Sequence, residues 1–354
     1  MRRKGWIAIG WFGALGALAA LAACSRGVTA ADSAEPAVVA PPPTTVAKGA
    51  VTFAFAGDIH TAGGLKDKLL ADPNTWLAPV APVLQSADIA VVNLETAVTN
   101  GGTAAQKEYS FRAPPEVFAG LAAAGVDAAT VANNHGLDYG QSGFNDTLAA
   151  AQAAKFPLLG AGANEAAAYA PWIVTVNNRR VAIFAASQVI PNDLYESWIA
   201  KPNQPGIAAG YDADRLGREI AKVRASVDTV VVYLHWGEEQ KKCATDRQKT
   251  TAKKLVDAGA DIVVGSHAHR IQGAGKIGSS VVAYGLGNFV WYNEAGDSGQ
   301  SGVLMVTAEG RTITDYHWVP ARIRGGIPVP LTGESAATTL TTYAALRQCS
   351  GLAA

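Results

Sequence analysis

The sequence predicts an α/β protein, a mixed sheet or a pair of sheets flanked by helices. Three observations carry this. From Val51 onward, short apolar runs of strand length alternate with helical patterns. Two stretches have the shape of antiparallel hairpins, so the sheet is mixed. The 354 residues are 49% hydrophobic, enough to bury a large core. Twenty-nine basic residues balance twenty-nine acidic ones, for a net charge of zero. With no basic block, nucleic acid is excluded as a partner, and no strong field favours an acidic surface.

The elements follow in order. VTFAFAGD (51–58) and ADIAVVNLE (87–95) are buried strands. PPEVFAGLAAAG (114–125) is a helix, with proline early and glycine at its end. VDAATVANNH (126–135) is a strand and SGFNDTLAAAQAA (142–154) a helix. WIVTVNNRRVAIFAAS (172–187) is a hairpin about Asn177–Asn178. ADRLGREIAKVRA (213–225) is an amphipathic helix, DTVVVYLHWG (228–237) a strand and DRQKTTAKKLVDAG (246–259) a helix. ADIVVGSH (260–267) and SSVVAYGLGN (279–288) are strands, and GVLMVTAEGRTITDYHWV (302–319) is a terminal hairpin turning at Glu309–Gly310. No internal repeat or boundary interrupts residues 51–330, which form one domain.

The ends of the chain read differently. MRRKGW, an apolar run and LAAC make residues 1–24 a signal peptide. Leu21–Ala22–Ala23–Cys24 resembles the lipobox of bacterial lipoproteins, which implies lipidation at Cys24 and a membrane-anchored station at the bacterial cell surface. Residues 25–50, with prolines at 41–43, form a disordered Pro/Ala-rich linker. Outside the cytoplasm the two remaining cysteines, Cys243 and Cys349, are expected to form a disulfide. It would clip the C-terminal tail, residues 331–354, to the body.

The chemistry sits where strands end. Asp58 and His60 follow the first strand, and Asn93 and Glu95 close the second. Asn133, Asn134 and His135 follow the third, and His235 ends VVVYL. His267 and His269 follow ADIVVGS, and Asn288 follows VVAYGLG. Five of the six histidines lie at such ends; only His317 does not. In open α/β sheets the carboxyl ends of strands form the ligand crevice. Imidazole, carboxylate and amide oxygen together suit Zn, Mn or Fe, not Ca.

The series GD-x-H, N-x-E, NNH, H and GSH-x-H resembles that of calcineurin-like metallophosphoesterases. FAGDIH, VVNLET, ANNHGLDYG, HWGEE, GSHAHRIQG and YGLGNFVW are similar, in order, to the signatures of the CapA (capsule or poly-γ-glutamate synthesis) family. The resemblance spans residues 53–291 and implies a metallophosphatase-like fold: two mixed β-sheets packed together and flanked by helices. It implies two divalent ions, with Asp58, His60 and His269 on one, Asn134, His235 and His267 on the other, and Asp58 or Glu95 bridging. His135 would act as general acid or as a charge on the leaving oxygen, oriented by Asp138. Glu95 departs from the phosphoesterase pattern, which has Asp in a different local motif.

Other residues keep two readings. Arg112, in KEYSFRAPPE, either grips a carboxylate or phosphate or lies on the surface. Asn288 either ties loops together or touches substrate. Trp236 and Trp291 are core, pocket wall, or stacking platforms. Glu238 and Glu239 either support His235 or are solvated. The implied function is that of a lipoprotein with a metal-dependent hydrolase-type site. It would act in synthesis, export or processing of an anionic envelope polymer or its precursor, alongside a polymer synthase or export complex. The alternatives are a non-catalytic assembly factor and a secreted phosphoesterase.

Overall fold

The computed structural model describes residues 48–354. The expected signal peptide, Cys24 and the linker up to residue 47 lie outside the described residues. Two mixed sheets form the body. The eight-stranded sheet runs Ile327–Pro330, Thr312–Arg324, Gln300–Glu309, Val51–Ile59, Ile89–Leu94, Ala128–Thr130, Leu158–Leu159, with Asn288–Val290 parallel to the end of Val51–Ile59. The six-stranded sheet runs Ala274–Ile277, Ser280–Ala283, Ile262–His267, Thr229–Trp236, Arg179–Ser187, Trp172–Val176. Parallel strands occupy both centres, and hairpins supply the antiparallel edges.

Side-chain alternation explains the layering. Phe53 and Phe55 on one sheet and Val231, Tyr233, Ile262 and Val264 on the other fill the space between the sheets. Ala54 and Ala56, with opposite parity, join the core under the helices of the first sheet. Phe184, Val232 and Leu234 pack against Ala213–Arg224 and Asp246–Asp257 on the second. Tyr233 spans the layers, its hydroxyl donating to the Ala56 carbonyl at 2.8 Å. At full burial each large apolar side chain here contributes about 1.5–3 kcal/mol.

Local chemistry sets the boundaries. Asn177 and Asn178 take φ of 50° and 61°, the left-handed pair that a two-residue hairpin turn demands. Asp246–Asp257 starts with a capping box between Thr245 and Gln248. Two expected strands are shorter than the sequence suggested. VDAATVANNH contributes only Ala128–Thr130, and the chain then turns out of the sheet, which swings Asn134 and His135 into the crevice. SSVVAYGLGN splits into Ser280–Ala283 in one sheet and Asn288–Val290 in the other, so this segment hands the chain from sheet to sheet. Helices Leu65–Ala71 and Gly333–Ala345 were not foreseen. The last residues are tied down twice, by a Cys243–Cys349 disulfide and by pairing of Lys276 with Ala353.

The crossing has a tight spot. A Cβ on Gly57 would lie 1.8 Å from the Gly287 carbonyl oxygen. That same carbonyl accepts the Asp58 N–H at 3.0 Å. Gly57→Ala is therefore expected to cost about 1–3 kcal/mol or more by overpacking. Gly64→Ala, whose Cβ meets nothing within 4 Å, should stay within about 0.5 kcal/mol. Equal urea midpoints for the two variants would refute this account.

Candidate metal centre

Strand ends of both sheets converge on one buried cluster. Asp58, His60, Asn93, Glu95, Asn133, Asp138 and His235 are fully buried, and His135, His267 and His269 are at most 9% exposed. Asp58 Oδ1 accepts from Asn93 Nδ2 at 2.8 Å, and Oδ2 accepts from the His267 backbone N–H at 3.2 Å. His269 Nδ1 lies 3.3 Å from the same Oδ2 and 2.9 Å from Asn288 Oδ1, which leaves its Nε2 available. Asn288 in turn donates to the Ser298 carbonyl. The turn bearing the paired histidines is strained: φ is 94° at His267 and 52° at His269. Such backbone persists only where its surroundings hold it.

Glu95, His267 and His269 each offer a ligand atom, all within 4.8 Å of one another. Neither Glu95 carboxylate oxygen has a hydrogen-bond partner, nor has His267 Nδ1. Buried polar atoms are ordinarily paired, so the bare Glu95 oxygens and His267 Nδ1, in a group whose ligand atoms come within 4.8 Å of one another, fit a divalent cation. Desolvation, then the Asp58 charge, pushes the Glu95 pKa well up. Desolvation, then His269, pushes His267 down to about 3. An imidazole held neutral is the state in which it binds metal.

His235 Nε2 meets Asn134 Oδ1 at 2.7 Å and Glu95 Oε1 at 3.5 Å, while its Nδ1 is 3.2 Å from Asn93 Nδ2. Asn134 and His235 therefore satisfy each other beside the cluster. His60 lies beside the same cluster, near His135 and His269, and its buried Nε2 has no hydrogen-bond partner. Its Nδ1 accepts the Ala62 N–H at 2.9 Å, which fixes the ring and leaves Nε2 as the free position. Its ring stacks on Phe111 at 4.5 Å and meets Trp291 edge-on at 4.1 Å.

His135 is held by Asp138, Nδ1 to Oδ2 at 2.6 Å, and its Nε2 points toward Glu95 Oε1 at 3.9 Å. Its ring stacks on Phe111 at 4.2 Å. Burial lowers its pKa against the opposing pull of Asp138. Arg112 does not line the pocket above the cluster. Its guanidinium carbon sits over the Tyr139 ring, 3.6 Å from the centroid. Trp236 is core, with its indole N–H on the Tyr284 carbonyl, and Trp291 is pocket wall. Glu239 lines the pocket mouth.

Sequence reasoning missed Lys107. Its ammonium bonds Asp138 Oδ1 at 2.6 Å and the Asn134 carbonyl, and stands 3.2 Å from His135 Nδ1. Burial lowers its pKa while Asp138 raises it. The only signal was its place in the KEYSFRAPPE stretch. Asn93 was noticed at a strand end, but not as the hub that joins Asp58, His235 and Asn133.

Two stacked mixed sheets, flanked by helices and carrying carboxylate, amide and imidazole groups at their strand ends, define a protein of metallophosphatase-like fold. A candidate 5'-nucleotidase of Staphylococcus aureus, solved in complex with α-ketoglutarate, superposes with a TM-score of 0.50 at 12% identity, over 85% of this chain and 58% of that one; the likeness is one of fold. The chain belongs to the family described as bacterial capsule synthesis protein PGA_cap, which matches residues 52–293. It is 32% identical over 293 residues to the capsule biosynthesis protein CapA of Bacillus anthracis, spanning 80% of this chain and 70% of that protein. A candidate polyglutamine synthesis accessory protein of Mycobacterium tuberculosis is 30% identical over 210 residues; the match covers 57% of this chain but only 55% of that protein.

The buried charges predict opposite pH effects on the metal-free protein. With its pKa raised, Glu95 holds a proton in the folded state to higher pH than in the unfolded chain, so stability falls as pH rises through the raised value. His60 and His267, lowered to about 3, refuse protons that the unfolded chain accepts, so stability also falls as pH drops from 6.5 toward 3. Glu95→Gln should therefore raise metal-free stability at pH 8 by about 1–3 kcal/mol in urea unfolding. A destabilised variant would contradict the electrostatic account.

Proposed function

We propose that this protein is a cell-surface lipoprotein with a metal-dependent hydrolase site. It acts on an envelope polymer or its precursor during capsule or poly-γ-glutamate synthesis, export or processing. One observation supports this most: a fully buried Glu95 carboxyl with no hydrogen-bond partner, beside histidine nitrogens of which one is equally unpartnered. A purely structural acid would have been given donors or replaced by an apolar residue.

In this reading Asp58, His60, Glu95, Asn134, His235, His267 and His269 hold one or two divalent ions of the Mn, Fe or Zn class. A bound ion supplies Lewis-acid polarisation of the scissile phosphoryl or carbonyl group and a water of lowered pKa. The chain's own residues do the rest. The His135 Nδ1–H is fixed on Asp138, which leaves the Nε2 lone pair facing the cluster. Nε2 takes up a proton there and delivers it to the leaving oxygen or nitrogen. Asp138 stabilises the imidazolium formed in between, and Lys107 holds Asp138 in place. Phe111 holds the His135 ring flat from one side.

The test uses the full chain, with metal content measured and hydrolysis assayed on bis(p-nitrophenyl) phosphate and on poly-γ-glutamate with added Mn. His267→Ala should lose the metal. His135→Ala should keep it while kcat falls about 10²–10⁴-fold. Stoichiometric metal with no hydrolysis of either substrate would replace the hydrolase reading with an assembly role. Cys24→Ser should release the protein from the membrane fraction; retention of that variant would count against the lipid anchor.

A further inference from the structure

The pocket above the cluster has a volume of about 170 Å³. His135 and His269 reach its lower wall, and its mouth is of a different character. Tyr109 and Tyr292 are 54% and 50% exposed, unusual for large rings beside a pocket. Tyr292 lies nearly parallel to Trp291, interplanar angle 17°, with centroids 6.0 Å apart. The Glu239 carboxylate lines the same mouth, exposed and with no ion-pair partner among the described residues. Its charge is felt at Tyr109 as well as at Glu95 and Lys107.

No lysine or arginine lines this pocket. The cations behind its wall are engaged elsewhere. Arg270 donates to Ser298 Oγ and the His269 carbonyl, and Lys242 pairs with Asp297 at 2.7 Å. A polyanion crossing this mouth would meet exposed tyrosine rings and an unpaired carboxylate. An ammonium group would meet favourable partners in both, since ring quadrupoles attract cations and Glu239 supplies the opposite charge.

We propose that the mouth formed by Tyr109, Tyr292, Trp291 and Glu239 binds a cationic amine on the substrate, while the scissile group sits below at the histidine cluster. This rests on the reading of the cluster as the reacting centre and narrows its substrate class. The substrate is an ester or amide with an ammonium group on one side of the bond. On a poly-γ-glutamate chain only the amino end qualifies, so the site works from chain ends rather than from the anionic interior.

The experiment is calorimetric titration of the full chain with choline, with its neutral isostere 3,3-dimethylbutan-1-ol, and with tri-γ-glutamate whose amino end is free or acetylated. Choline should bind at least about threefold to tenfold tighter than the isostere, and Glu239→Gln and Tyr292→Ala should each weaken choline by about the same factor. Acetylation should weaken the trimer. Both substituted side chains are exposed, so folding is not at stake. The proposal is overturned if the isostere matches choline, if Glu239→Gln leaves choline binding unchanged, or if acetylation leaves the trimer unaffected. Metal content measured in the same samples separates the two readings: its absence would sink the metal centre without touching the mouth, and the converse holds for loss of choline discrimination.

Discussion

The Asp58 carboxylate is the constraint on which the rest of the structure turns. It ends a strand of the eight-stranded sheet, yet one of its oxygens accepts from the His267 backbone in the six-stranded sheet and lies beside His269. Its other oxygen is held by Asn93 from the neighbouring strand. One buried anion thus pins the two sheets to each other at their carboxyl ends. A buried charge is tolerable only when its lone pairs are met. The strained turn at His267–His269 and the close passage of Gly57 past Gly287 serve that requirement.

The same requirement explains why the cluster is so uneven in its satisfaction. Asp58, Asp138 and Asn133 are amply bonded, whereas Glu95 is bare. Well-bonded groups position their neighbours, and the bare one has capacity to spare for something that arrives from solvent. Lys107 belongs with the first kind: it joins Asp138 to the backbone at Asn134, so the Asn134 backbone and the Asp138-held His135 ring are fixed from one ammonium.

Much of this was legible in the chain. Strand periodicity and the asparagine pair placed the two hairpins, and the ordered motifs from Asp58 to Asn288 pointed to a single crevice, where the structure gathers Asp58, Glu95, Asn134, His135, His235, His267 and His269. What escaped had physical causes. The helix Gly333–Ala345 has no buried residues and so shows no apolar stripe to read. In the run 279–288 the apolar residues read as one strand, and the break falls at its glycines, Gly285 and Gly287, where the chain crosses from one sheet to the other. His60 shares a face with Asp58, as i and i+2 in a strand should, but the sequence could not show that the Ala62 N–H would take its Nδ1 and leave Nε2 bare. Lys107 sits in an irregular segment, where no periodicity tells which way a side chain faces. The sequence left Arg112 between an anion-binding and a surface role, and the fold sets its guanidinium over the Tyr139 ring.

The bond between Cys243 and Cys349 closes a ring of the chain with a sequence separation of 106 residues. His267, His269 and Asn288 all lie inside that ring, whereas Asp58, Glu95, Asn134, His135 and His235 lie on the arm before it. Covalent closure shrinks the space those three can explore even when nothing is folded. The centre is therefore assembled from two topologically distinct parts, a looped half whose members never drift far apart and a linear half that must find it.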